Sequence, residues 1–185
     1  MNLSNIKQRI PEYARDLRLN IGSVLTPEGA PGLSEEQIRG VALASAIASG
    51  NAGFARELES VLAEGADAAT MNGAKAAAAI MGMNNVYYRF LHLVGDDEYA
   101  TMPARLRMNV MARPGIEQAD FELYSLAVSA VNGCGKCIES HEKTLRRHGV
   151  GREAVQSAAR IAAVIHAVAA TLAYEGETAA AAAAA

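Results

Sequence analysis

Phe54, Leu58, Val61 and Leu62 recur at the spacing of one helix face, and Phe121, Leu123, Tyr124, Ala127, Val128 and Val131 form a second amphipathic pattern further along. Around these two segments the chain reads as a succession of helices separated by their own start and stop residues. Residues 3–25 hold a helical turn and then a second helix beginning near Pro11. Pro27, Gly29, Pro31 and Gly32 make a loop that ends at Ser34, whose hydroxyl caps a helix to about Ser49 while Gln37 reaches back as the capping-box partner. Asn51 and Gly53 restart the chain into a helix ending at Glu64, and Asp67 caps the next. Residues 68–93 are apolar around too much of the circumference for a surface helix, so this long Ala- and Met-rich segment belongs at the centre, with Gly82 as the place for an interruption.

After an acidic loop at 95–101, Pro103 is expected to open a short helix through Met111, ended by Pro114-Gly115. The amphipathic run 117–131 is halted by Asn132-Gly133, which leaves Cys134 at the start of the next helix. That helix runs to His148, with Arg146, Arg147 and His148 complementing the negative end of its dipole and Gly149 as its cap. A final helix covers 152 to about 175. Residues 1–177 therefore form one domain, and 178–185, ending in seven alanines, form a tail read as a frayed helix extension or disorder. A weak internal repeat sets Ala79-Ile80-Met81-Gly82-Met83 against Ala130-Val131-Asn132-Gly133-Cys134, as if a helix-turn-helix unit had been duplicated.

Composition sharpens this into an all-α fold class, a single compact multi-helix domain. Of 185 residues about a fifth are alanine, 51% are hydrophobic and only 5% aromatic, which suits close-packed helices and starves a β-sandwich. With 20% charged residues, disorder is excluded. A net charge of −3 with scattered Lys and Arg gives no nucleic-acid footprint. The most apolar stretch, 161–174, falls short of the roughly 20 residues of a membrane span and contains His166. The first eleven residues lack the continuous apolar stretch of a secretory signal, so the expectation is a cytoplasmic protein without membrane or nucleic-acid partners.

The two cysteines lie three apart, at Cys134 and Cys137, and in a cytosolic chain that spacing points to redox or metal chemistry. On a helix, Cys134, Cys137 and His141 share one face. A helix N-terminus favours thiolate over thiol, and two cysteines on a first turn can close a disulfide, so that one attacks and the other resolves. His141 is placed to move a proton, and Glu122, on the preceding helix, is placed to orient the imidazole. Which cysteine attacks is left open by this geometry, although the helix dipole favours Cys134. Lys136 points to solvent.

Plainer readings stand beside these. The cysteines can be two small buried hydrophobes, or, with His141 and either Glu139, Glu142 or another subunit, zinc ligands in a zinc-stabilised helical interaction module. Glu122 taken alone is a solvated helix carboxylate. His148 and His92 are helix-end groups, His166 a core or interface histidine, and Met71, Met81 and Met83 core filler.

The segment from Glu122 through NGCGKC and SHEKTLR to Arg146 resembles the alkyl hydroperoxidase D (AhpD) family, within the carboxymuconolactone-decarboxylase-like superfamily. Ile10-Pro11-Glu12-Tyr13-Ala14, the run 78–89 and the stretches Arg107-Met108-Asn109 and Pro114-Gly115-Ile116 are similar to it as well. The resemblance implies an all-helical homotrimer that acts as a thiol peroxidase on alkyl hydroperoxides, without a tightly bound cofactor or metal. It is re-reduced by the lipoyl group of a lipoylated dihydrolipoamide acyltransferase, and it regenerates the partner peroxiredoxin AhpC, with a mixed disulfide through Cys137. Carried onto this sequence, Cys137 is the peroxidatic cysteine that passes through sulfenic acid, Cys134 the resolving cysteine, and His141 and Glu122 the proton relay. Lys136 departs from the pattern, standing where the best-known members have a histidine between the cysteines. A decarboxylase of the same superfamily is the alternative enzyme class, although its chemistry does not need a redox CxxC.

Overall fold

Ser34 starts the first long helix where the sequence places it. Its hydroxyl accepts from the Gln37 N–H (3.2 Å), and the Gln37 side chain accepts from the Ser34 N–H (3.0 Å), closing the capping box. Asn51 and Asp67 likewise accept from Phe54 N–H (3.1 Å) and Ala69 N–H (3.2 Å). The computed structural model describes the backbone of residues 1–183 and the side chains of residues 1–176. Among the described residues it has ten helices and no strand: α1 (Ser4–Arg9), α2 (Arg15–Val24), α3 (Glu35–Ala48), α4 (Ala52–Ala63), α5 (Ala68–Leu93), α6 (Glu98–Thr101), α7 (Asn109–Ala112), α8 (Gln118–Val131), α9 (Gly135–Arg147) and α10 (Arg152–Ala183). A short 3-10 turn, Glu12–Ala14, precedes α2.

The middle of the domain is α3 and α8, each buried around its whole circumference over residues 38–46 and 121–129. α5 and α10 each pack against both, and α9 lies against α8 and α5. Small side chains allow this closeness. Ala42, Ala44 and Ala46 on α3, Ala74, Ala77 and Ala78 on α5, and Ala158, Ala162 and Ala169 on α10 are all in the core. α3 and α8 approach closely at Gly40, where an added Cβ would fall 2.1 Å from Cζ of the fully buried Tyr124.

Three expectations are revised. α5 runs unbroken through Gly82, because one exposed glycine costs only about 1 kcal/mol against alanine while Ala77, Ala78, Met81, Asn84 and Asn85 bury the opposite face. The segment that the internal repeat sets against Asn132-Gly133-Cys134 is thus plain helix, and the turn occurs in the second copy only. No helix forms over 103–108. These residues are mostly exposed, with no apolar face to bury, and Arg105 takes a left-handed φ of 51°, leaving only the one-turn α7.

The last helix outruns its expected end at 175, and the separate alanine tail falls on residues whose side chains lie outside the described ones. Residues Arg152–Gly176 of α10 are long and apolar enough to cross a membrane by length and composition. Their inward face, with Ile161, Ile165, Val168 and Leu172, is buried in the core, as in the central helix of a globular domain.

The Gly40 contact sets a prediction. Gly40→Ala should lower stability by about 1–3 kcal/mol, read as a lower urea midpoint at unchanged slope. Gly82→Ala, whose added Cβ meets nothing within 4 Å, should raise the midpoint instead. Equal shifts for the two variants would contradict the packing argument.

Candidate active site around the Cys134-Cys137 disulfide

The site begins with the way α8 ends. Gly133 adopts φ 66°, its N–H donates to Ala130 O (3.2 Å), and the Cys134 N–H donates to Ser129 O (3.0 Å), the paired bonds of a Schellman motif. The chain reverses there, so the residue that closes α8 also opens α9. Cys134 is the N-cap of α9, and its sulfur accepts from the Cys137 N–H (3.3 Å). The expected helix start at Cys134 is therefore found. Cys134 and Cys137 are joined as a disulfide, and the inward face of α9 continues with His141 and Leu145 at successive turns.

Polar side chains from α5 pin this turn. Asn85 donates to Ser129 Oγ (2.9 Å) and accepts from Asn132 Nδ2 (2.9 Å), while Arg89 donates to Asn132 O (2.5 Å). α8 supplies the carboxylate. Glu122 Oε2 accepts from His141 Nδ1 (2.6 Å), and both residues are buried, at 6% and 5% exposure. The solvated reading of Glu122 is thus corrected: the fold-back of α9 on α8 covers it. Gln118, one turn earlier, donates to Glu122 Oε1 (3.1 Å). Burial alone would push the Glu122 carboxyl up, but the His141 hydrogen bond and charge, with Gln118, outweigh it and hold it below the ordinary carboxylate value. With Nδ1–H committed to Glu122, the neutral ring presents Nε2 as its basic nitrogen, which lies 3.3 Å from Met81 Sδ.

Cys137 and His141 line a cavity of about 270 Å³ walled by Met81, Met108, Met111 and Tyr88, with Asn84 also in its wall and Lys136 and Ser140 at exposed positions. Cys134, fully buried, is absent from that wall, whereas Cys137 retains 6% exposure. Of the pair, Cys137 is thus the residue at the cavity, and Cys134 is fully buried outside its lining. The four residues read from the sequence are thus brought together. Met81, expected as core filler, is also a wall of the site. Gln118, Asn84, Met108 and Met111 were not anticipated. Gln118 was findable as the residue four before Glu122, and Asn84-Asn85 as an amide pair inside an otherwise apolar helix, which burial obliges to find partners.

His148 and His92 lie at helix ends as expected, while His166 is exposed on α10, turned away from its buried neighbour Ile165, and is not a core residue. The further zinc ligands considered are engaged elsewhere: Glu139 with Lys143 (2.6 Å) and Glu142 with Arg146 (4.0 Å). Among the described residues no group of three or more His, Cys, Asp or Glu gathers as a metal site.

A depressed carboxyl stabilises the fold above its unfolded value, about 4.3, and that contribution is lost as pH falls through the folded value. The difference in urea midpoint between the wild type and Glu122→Gln should therefore be widest above about pH 5 and close toward pH 3. A constant difference across that range would mean that the charge of Glu122 is not what the fold uses.

Residues 97–185 match the Carboxymuconolactone decarboxylase family. The chain is 56% identical over 176 residues to the alkyl hydroperoxide reductase AhpD of Gluconacetobacter diazotrophicus, covering 93% of each chain. It is 54% identical over 172 residues to that of Rhodospirillum centenum, covering 93% of this chain and 91% of the relative. With that of Hyphomonas neptunium it shares 54% identity over 180 residues, 97% of this chain and 98% of the relative. Identity above one half along nearly the whole length means that this chain belongs to the AhpD family.

Proposed function

We propose that this protein is a thiol peroxidase that reduces alkyl hydroperoxides through a Cys134/Cys137 dithiol-disulfide couple. The observation that carries the reading is the position of Cys137: in the wall of a largely apolar cavity that a buried, carboxylate-oriented imidazole also lines, with its disulfide partner fully buried. The names of the relatives support the same chemistry.

In the reduced protein, His141 Nε2 accepts the Cys137 proton, and the first turn of α9 favours the thiolate. The thiolate attacks the terminal oxygen of the hydroperoxide. The S–O bond forms as the O–O bond breaks, and the electron pair leaves on the alkoxide, which takes the proton from the imidazolium to give the alcohol. Cys134 then attacks the Cys137 sulfenic acid: the S–S bond forms, the S–O bond breaks, and the hydroxyl departs with the Cys134 proton as water. Glu122 keeps His141 in the tautomer whose free nitrogen is Nε2, on a ring that lines the same cavity as Cys137. Lys136, exposed at the cavity rim, stays outside the relay.

An external dithiol restores the couple by exchange, and Cys137 is the sulfur it reaches. We assign that role to the lipoyl group of a lipoylated acyltransferase, and by the same surface the protein regenerates the peroxiredoxin AhpC. A cytoplasmic homotrimer without tightly bound cofactor completes the proposal; close-packed alanine-rich helices suit such assembly.

The test is the intact mass of the reduced protein before and after a stoichiometric pulse of alkyl hydroperoxide, followed by dihydrolipoamide. Loss of two hydrogens, restored by the dithiol, is the expected result, and Cys137→Ser should abolish it. Absence of the disulfide, or full turnover in Cys137→Ser, would overturn the reading.

A further inference from the structure

Asn84 stands on α5 one turn beyond Met81, is 2% exposed, and lines the cavity that Cys137 and His141 share. Its amide nitrogen donates to Met111 Sδ (3.2 Å). Its carbonyl oxygen is buried and has no hydrogen-bond partner among the described residues. Buried amide oxygens of this kind are uncommon, because burial strips water from an acceptor that nothing then replaces. The adjacent Asn85 shows the ordinary outcome, with its nitrogen donating to Ser129 and its oxygen accepting from Asn132. None of the other wall side chains satisfies it: the thioethers of Met81, Met108 and Met111 carry no donor, the Nδ1–H of His141 is committed to Glu122, the Tyr88 hydroxyl is directed to Met108 Sδ (3.8 Å), and Lys136 and Ser140 stand at exposed positions without a bond to it. The wall therefore combines a nucleophilic sulfur, a proton carrier, apolar thioethers and one acceptor in want of a donor.

A hydroperoxide has the matching form, an apolar body ending in a single O–H. We infer that Asn84 Oδ1 accepts the hydrogen bond of that terminal O–H and so aims the terminal oxygen at Cys137, an inference that rests on the peroxidase reading above. When the S–O bond forms and the O–O bond breaks, the electron pair and the proton from His141 leave with the alcohol. The O–H stays on the terminal oxygen and becomes the O–H of the sulfenic acid. One acceptor thus serves both substrate and intermediate, and it selects hydroperoxides over dialkyl peroxides, which have no O–H to donate.

The test compares two reagents on reduced wild type, Asn84→Leu and Asn84→Ala. tert-Butyl hydroperoxide offers the O–H, whereas methyl methanethiosulfonate reacts with the same thiolate and carries neither O–H nor N–H. The second-order rate with the hydroperoxide should fall about tenfold in both variants, roughly the worth of one hydrogen bond, while the thiosulfonate rate and its pH profile stay at the wild-type values. Asn84→Ala decides alone if Asn84→Leu does not fold. Unchanged hydroperoxide rates, or equal losses with both reagents, would overturn the role of Asn84 while leaving the peroxidase reading intact. A wild type inert to the hydroperoxide but reactive with the thiosulfonate would overturn both.

Discussion

The reversal at Gly133 is the constraint from which the rest of the site follows. Because the Cys134 amide is bound to Ser129 O, the chain cannot drift away from α8 before α9 begins, and the first turn of α9 lies against the residues that ended α8. That single turn decides that Cys137 is in a helix N-terminus, that His141 lies one turn deeper, and that His141 reaches back to Glu122. A side chain at position 133 would have to take a left-handed conformation that costs L-residues roughly 1–2 kcal/mol. The amide ladder from α5, through Asn85, Ser129, Asn132 and Arg89, holds the same turn from the other side.

Burying an acid and an imidazole against each other is favourable only when each replaces the water the other has lost. Here the carboxylate has two donors, His141 and Gln118, and the ring has one acceptor and one soft thioether neighbour. The pair also joins α8 to α9, so the orientation of the proton carrier and the docking of the helix that bears the cysteines are set by the same bond. Stability and chemistry are coupled at this contact, which is a frequent property of polar groups placed inside a core.

Local chemistry made much of this legible in the chain. The capping box at Ser34 and Gln37, the Asn51 and Asp67 caps and the Asn132-Gly133 stop are all short-range interactions, and each was found where the residues placed it. Cys134, Cys137 and His141 were legible for the same reason, since one helix face is a matter of counting. Glu122 was placed by the short turn that folds one helix on the other, yet its burial was not readable from position alone. The failures share a cause. Whether 103–108 coils depends on there being something to pack against, and whether Gly82 breaks α5 depends on the opposite face being held. Asn84, Met108 and Met111 meet Cys137 only because α5 and the chain around α7 converge on α9, a tertiary fact with no period in the sequence.

The small side chains that let α3, α5, α8 and α10 approach so closely also shape how this sequence can drift. An interior of leucine and phenylalanine is damaged chiefly by loss of volume, which leaves voids. An interior in which alanine holds so many of the contact positions has little volume left to lose, and almost any change there is an enlargement that must push two helix axes apart. Substitution at those positions is therefore channelled into exchange among the smallest residues. The alanine richness that first marked the composition is, in this sense, a limit on the paths by which the sequence can change while the helices that frame Cys137 stay where they are.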